Sequence, residues 1–168
     1  MRRTPFKRKP YKWKRRKPSS TVGSDSVAEK PKTETSARSS ALRKADTAFS
    51  LFIRTRDAQP YEGQAFRCIS CNRVLPIEQA DCGHYVNRQH MSLRFSEQNC
   101  HAQCRQCNRF DEGNIQEYRR GLILKLGEQR VNLLEALKHE THKLTALDLE
   151  FIARHYKSET KKFKYQIK

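Results

Sequence analysis

This sequence predicts an α+β fold: a small core stapled by two cysteine knuckles, one helix before it, further helices after it, and a basic tail in front. Three observations carry that expectation. Two C-x-x-C pairs, Cys68-Ile-Ser-Cys71 and Cys104-Arg-Gln-Cys107, stand in a chain with six cysteines. Short β-prone pieces broken by Asn, Pro and Gly lie between Phe66 and Tyr85, and on either side apolar residues return at helical spacing. The 168 residues carry a formal charge of +17, and that charge is unevenly placed.

Residues 1–44 hold fifteen Lys/Arg against three acids, and residues 45–168 hold twenty against fifteen, so the shares are +12 and +5. The first segment is a Ser/Thr/Lys/Glu/Pro mixture without apolar periodicity, which is the composition of a disordered chain. With 36% hydrophobic residues and a mean hydropathy of −0.94, one compact fold over the full length would be short of apolar side chains. A disordered basic tail over 1–44 and a folded domain over 45–168 are therefore expected. The first eighteen residues have ten basic side chains interleaved with Phe6, Tyr11 and Trp13, so phosphates can pair with cations while bases stack on rings. Lys12, Trp13, Lys14, Arg15 and Arg16 are the candidate contacts there. A polyanion is the expected partner, nucleic acid ahead of an anionic membrane surface. No apolar run approaches the roughly 18 residues of a membrane span, and no secretory signal opens the chain. The expectation is a cytoplasmic protein, whose cysteines serve as metal ligands or free thiols rather than disulfides.

Leu42, Ala45, Phe49, Phe52 and Ile53 recur at three- and four-residue spacing and predict an amphipathic helix from Ser40 to Asp57. The pieces FRCIS, RVLPI and CGHYV predict hairpin strands. In GNIQEYRRGLILKLG the helical period returns with Ile115, Tyr118, Leu122 and Leu126, after Gly113 and Asn114 as start signals. QRVNLLEALKHE continues helical after Gly127, and a last helix opens with Thr145 and Asp148 at capping positions.

C-x-x-C is the spacing at which a tight turn points two thiolates at one ion. Two such pairs supply four ligands, so Cys68, Cys71, Cys104 and Cys107 are expected to hold a structural Zn²⁺. The 32 residues between Cys71 and Cys104 exceed the roughly 15 to 20 of a zinc ribbon, so a segment has been inserted. A redox role for the pairs would need a thioredoxin-like βαβ context that is missing here. Cys82 and Cys100 are left over, as buried thiols or as competitors for the ion.

The insert is dense in nitrogen and oxygen ligands: Asp81, His84, His90, Asn99 and His101, with Asn108 just beyond the last knuckle cysteine. Hydrolysis of a phosphodiester needs such a set, because a base must activate water and a hard divalent cation must neutralise the phosphate. Arg88, Arg94, Arg105 and Arg109 are candidate clamps on the DNA backbone, and each is equally readable as solvated surface charge.

FIRTRD (52–57), CISC (68–71), DCGHY (81–85), LRFSEQNCHAQCRQCN (93–108) and GNIQEYR (113–119) resemble, in order and spacing, the NinG/Rap family of lambdoid phage recombination endonucleases. The resemblance covers residues 46–157, and the segment before it matches none of the family's motifs. More broadly, His84, Asn99 and Asn108 with four cysteines resemble HNH (ββα-metal) endonucleases such as phage endonuclease VII. The resemblance implies an HNH core and metal-dependent hydrolysis of branched DNA such as Holliday junctions or D-loops. It implies His84 as general base, Asn99 as the brace of the loop carrying that base, and Asn108 as a ligand of catalytic Mg²⁺ or Mn²⁺. His101 would be a further ligand or phosphate contact. In enzymes of the endonuclease VII type an Asp directly precedes the base; here Gly83 does, and Asp81 is the expected carboxylate ligand. A homodimer gripping two DNA arms, with recombination proteins as further partners in a bacterial host, completes the expectation. Two other readings compete with it. One is a non-catalytic zinc-stapled DNA-binding accessory protein of recombination, and the other a zinc-dependent protein-interaction module, which leaves the basic tail without a role.

Overall fold

The computed structural model describes residues 34–167. Helix α1 spans Glu34–Ala58, so it begins six residues before the Ser40 expected from apolar periodicity and inside the segment assigned to the tail. Glu34 lies in its first turn, where a carboxylate suits the positive end of the helix dipole. Ala41, Ala45 and Ala48 then form a small-residue stripe, buried with Phe49, Phe52 and Ile53 against Leu149, Ala153 and Tyr156 of α4 (Ala146–Lys161). Tertiary packing there overrides a composition that reads as unstructured.

Two small antiparallel sheets follow. In the first, β1 (Ala65–Arg67) pairs with β2 (Val74–Pro76), with Phe66 opposite Leu75. In the second, β3 (Ala80–His84) pairs with β4 (Cys100–Cys104), so that His84 lies opposite Cys100 and Gly83 opposite His101. All five residues of β4 are buried. Helices α2 (Ile115–Leu126) and α3 (Glu128–Leu137) come next, divided at Gly127 as expected. Thr145 and Asp148 form the expected capping box on α4, with Asp148 N–H reaching Thr145 Oγ1 at 3.2 Å and Thr145 N–H reaching Asp148 Oδ2 at 2.8 Å. The architecture is α+β. Among the described residues, no helix is long and apolar enough to cross a membrane.

The β3–β4 ribbon lies between helices. Cys100 is buried among the residues of α1 and α4. On the side of α2, Tyr118 Oη accepts the His101 N–H at 3.0 Å and donates to the Gly83 carbonyl at 3.0 Å. Helix α2 also runs close to the first knuckle: a Cβ at Gly121 would stand 2.1 Å from the Ile69 carbonyl oxygen. Backbone cannot yield that much cheaply, so Gly121→Ala is expected to destabilise the chain by about 1–3 kcal/mol. The midpoint of urea unfolding reads this out.

Candidate functional site

The sulfur atoms of Cys68, Cys71, Cys104 and Cys107 all lie within 4.8 Å of one another. Cys68 follows β1 at a tight turn in which Asn72 adopts φ 59° and its N–H reaches the Cys68 carbonyl at 3.0 Å. Cys104 ends β4, and Cys107 sits in the π-helical turn Gln106–Phe110. Donors converge on the sulfurs: Cys104 N–H on Cys68 at 3.3 Å, Arg73 Nε on Cys71 at 3.3 Å, and Asn114 Nδ2 on Cys107 at 3.6 Å. Burial raises the Cys71 thiol, yet the Arg73 contact and neighbouring donors bring it down to about 7. Four sulfurs with donors aimed at them suit thiolate ligation, and the cluster could hold a metal such as zinc.

His84 ends β3, with Nε2 3.2 Å from the Arg94 carbonyl. A carbonyl only accepts, so this contact favours the proton on Nε2. Burial holds the imidazole below its ordinary range, and the Arg94 carbonyl offsets only part of that, so it is neutral at pH 7. Arg94 is itself fixed by Asp46 of α1, through contacts of 2.8 and 2.6 Å. The loop leaving His84 is braced by wholly buried Asn99. Its Oδ1 accepts Val86 N–H at 2.7 Å, and its Nδ2 donates to the Val86 and Leu93 carbonyls at 2.9 and 3.2 Å.

Beside His84 opens a cleft of about 230 Å³ that also has Asp46, Asp81, Arg88, Asn108 and Arg109 in its lining. Asp81 accepts from Asn108 Nδ2 at 3.1 Å and from both arms of the Arg109 fork at 2.6 Å. Burial would raise Asp81, but hydrogen bonds from Arg109 and Asn108 hold its carboxyl below the usual range, so it is ionised at pH 7. Asp81, Asp46 and Asn108 line one cleft, with each carboxylate engaged by an arginine fork, Arg109 on Asp81 and Arg94 on Asp46.

Residues 4–166 match the family described as bacteriophage lambda NinG protein. The chain belongs to the NinG family. It is 35% identical over 125 residues to protein ninG of Escherichia phage lambda, covering 74% of this chain and 57% of that protein. To ninG of Salmonella phage P22 it is 35% identical over 125 residues, covering 74% and 58%. To ninG of Enterobacteria phage H19B it is 37% identical over 109 residues, covering 64% and 50%. The matched part thus spans between half and three-fifths of the length of these relatives. No solved structure matches it. The NinG match starts at residue 4, so it reaches well before residue 46, where the resemblance read from the motifs begins.

Of the residues singled out in this NinG sequence, the fold brings His84, Asp81, Asn108, Arg88 and Arg109 to one cleft and places Asn99 behind it. His101 is not among them. Its register partner is Gly83, so strand alternation sends its side chain to the face opposite His84. There it is 2% exposed, stands 6.3 Å from the Tyr118 ring, and lines a separate cavity of about 800 Å³ with Arg56, Asp57 and Lys125. Arg94 and Arg109 are likewise not free clamps, because Asp46 and Asp81 occupy their forks. Arg88 is exposed at the cleft, and Arg105, also exposed, donates to the Glu78 carbonyl at 2.6 Å. Lys12, Trp13, Lys14, Arg15 and Arg16 lie outside the described residues.

The sequence reading missed Asp46. An acid three and four residues before the cleft-lining Phe49 and Ser50, on a helix read only as amphipathic, is the signal that could have found it. The departure at Gly83 has a steric reason: a Cβ there would stand 2.4 Å from Oε1 of Gln103, which is itself held by Ser70 and the Gly113 carbonyl.

Burial, with Lys125 nearby, holds His101 down to about 3. Between the ordinary value near 6.5 and about 3, the unfolded chain therefore binds a proton that the folded chain does not, and stability falls as pH falls through that window. Lowering the pH from 7 to 5 is expected to remove about 2 kcal/mol on this account. In His101→Phe that part of the pH slope should vanish, as measured by urea unfolding at both pH values.

Proposed function

We propose that the cleft hydrolyses phosphodiesters in branched DNA, such as Holliday junctions or D-loops, in the manner of HNH (ββα-metal) endonucleases. One observation carries this reading: a neutral His84, with its Nε2–H anchored on a carbonyl, shares a small cleft with Asp81 and Asn108, which come from separate parts of the sequence. The order of a β ribbon, a knuckle and a helix agrees with a ββα core. So does Asn99, which braces the loop beyond His84.

In this mechanism Nδ1 of His84 takes a proton from water as it attacks phosphorus. Burial keeps that nitrogen unprotonated, and the Asp46–Arg94 pair holds the carbonyl that orients the ring. A divalent cation, Mg²⁺ or Mn²⁺ held by Asp81 and Asn108, would neutralise charge on the phosphate and the leaving oxygen. Arg88 at the cleft and the start of α2 offer contacts to flanking phosphates. None of these groups is arranged to read base edges, so recognition rests on backbone geometry. Two arms of a junction would be gripped by a homodimer.

The test uses purified full chain with labelled four-way junction and linear duplex, in Mg²⁺, Mn²⁺ or EDTA. Metal-dependent cutting of the junction in preference to the duplex is expected. Tight junction binding without a cut in either metal would replace this reading with a non-catalytic DNA-binding role in recombination.

A further inference from the structure

Cys82 and Cys100 belong neither to the four-cysteine cluster nor to the hydrolytic machinery. The fold nevertheless brings them together around His84. The register sets His84 opposite Cys100, and Cys82 leaves the same strand face two residues before His84. A ring nitrogen of His84 and the sulfurs of Cys82 and Cys100 all lie within 4.8 Å of one another. We propose that these three side chains form a second, three-ligand site for a borderline-soft ion such as Zn²⁺, whose binding removes His84 from use as a base.

Zinc–sulfur and zinc–nitrogen bonds of about 2.3 and 2.0 Å in a tetrahedron set ligand atoms roughly 3.5–3.8 Å apart, so this trio needs shifts of about an ångström or less. Two thiolates and one imidazole select zinc over magnesium by softness. The oxygen donors Asp81 and Asn108, at the same cleft, have the opposite preference. The Arg94 carbonyl, 3.2 Å from His84 Nε2, is a partner of the kind that orients a ligating imidazole. Access is open: Cys82 and His84 line the cleft while Cys100 is wholly buried behind them. Three protein ligands leave the fourth position for a water or an anion arriving through the cleft.

An ion on His84 blocks proton transfer from water, so micromolar zinc should switch off a site that works with Mg²⁺. This regulatory half rests on the hydrolytic reading; the binding half does not.

The full chain, with thiols reduced, is titrated with Co²⁺ as a spectroscopic probe and with Zn²⁺ by metal analysis. Two ions per chain are expected, and one in each of Cys82→Ser, Cys100→Ala and His84→Ala, with loss of the second set of cobalt–thiolate bands. Equal ion counts in wild type and all three variants overturn the site, as does a Cys82–Cys100 disulfide that forms while zinc is bound. Three variants at different burial guard against one that fails to fold. In the cleavage assay, one added equivalent of Zn²⁺ beyond the first should lower the wild-type rate at least tenfold, and the ratio of rates with and without it should be near one in Cys82→Ser. Undiminished wild-type cutting with the second ion bound overturns the regulatory half. Two bound ions without cutting under any metal would keep the site and remove the hydrolytic reading.

Discussion

Cys104→Ser is expected to abolish metal binding at the four-cysteine cluster and with it the cooperative unfolding transition of the chain. The cluster joins elements that have little else to hold them. Sheet β1–β2 has three residues per strand, too short to stand alone. Its buried neighbours are mostly small: Ala58, Ala80 and Ala102, with Phe66 and Ile77 as the large apolar members. A zinc held by four thiolates contributes about 10–16 kcal/mol to the folding of small metal domains. The net stability of a whole domain is about 5–15 kcal/mol, so loss of the ion exceeds what the remaining contacts can offset. Damage should spread through β4, because Cys104 ends that strand and its N–H bonds Cys68 Sγ at 3.3 Å. The α1–α4 pair and the α2–α3 pair are packed in separate clusters. Much of the helical circular dichroism should therefore survive while the near-ultraviolet signal and the sharp melt are lost. EDTA on the wild type should reproduce the effect. A Cys104→Ser chain with full zinc content and an unchanged melting temperature would refute the four-thiolate assignment.

What the sequence made legible follows the physics of each element. The four cysteines were readable because C-x-x-C spacing is a local turn geometry that needs no knowledge of the rest of the fold. The last helix was readable because Thr145 and Asp148 satisfy its free N–H groups within one turn. Strand β4 was not: Cys100, Ala102 and Cys104 do alternate with His101 and Gln103, but both faces are buried and its Cys and His residues read as ligands rather than as a strand. The placing of His101 away from His84 follows from the same strand. Its closeness to Asn99 and Asn108 in sequence suggested a shared site, but which face it occupies depends on the pairing of β3 with β4, which appears only in the folded chain. Asp46 and the early start of α1 were missed for a related reason. Their meaning comes from long-range partners, Arg94 for Asp46 and α4 for Ala41.

Under the proposed hydrolytic reading, His84→Ala is expected to slow single-turnover cutting of a four-way junction by about 10²–10⁴, the usual contribution of a positioned general base. The fold should tolerate the change. His84 is only half-buried and its ring meets the backbone of Arg94 and Cys82, so about 1–2 kcal/mol of stability is at stake. Junction affinity should stay close to wild type, since phosphate contacts come from other side chains. The pH profile separates a base from a structural residue. Burial holds the imidazole below its ordinary value of 6.5, so the wild-type rate should climb as pH rises through that lowered value and be level by neutrality. In His84→Ala the acidic limb should disappear, and the residual rate should rise with hydroxide across the whole range. Asn99→Ala should behave differently. It strips two carbonyls and one N–H of the loop after His84 of their partners, so it should lower stability by about 2–4 kcal/mol as well as rate, while the acidic limb remains because the base is still present. If His84→Ala cuts as fast as wild type with an unchanged pH profile, His84 is not the base, and the carboxylates of the cleft, Asp46 and Asp81, become the candidates.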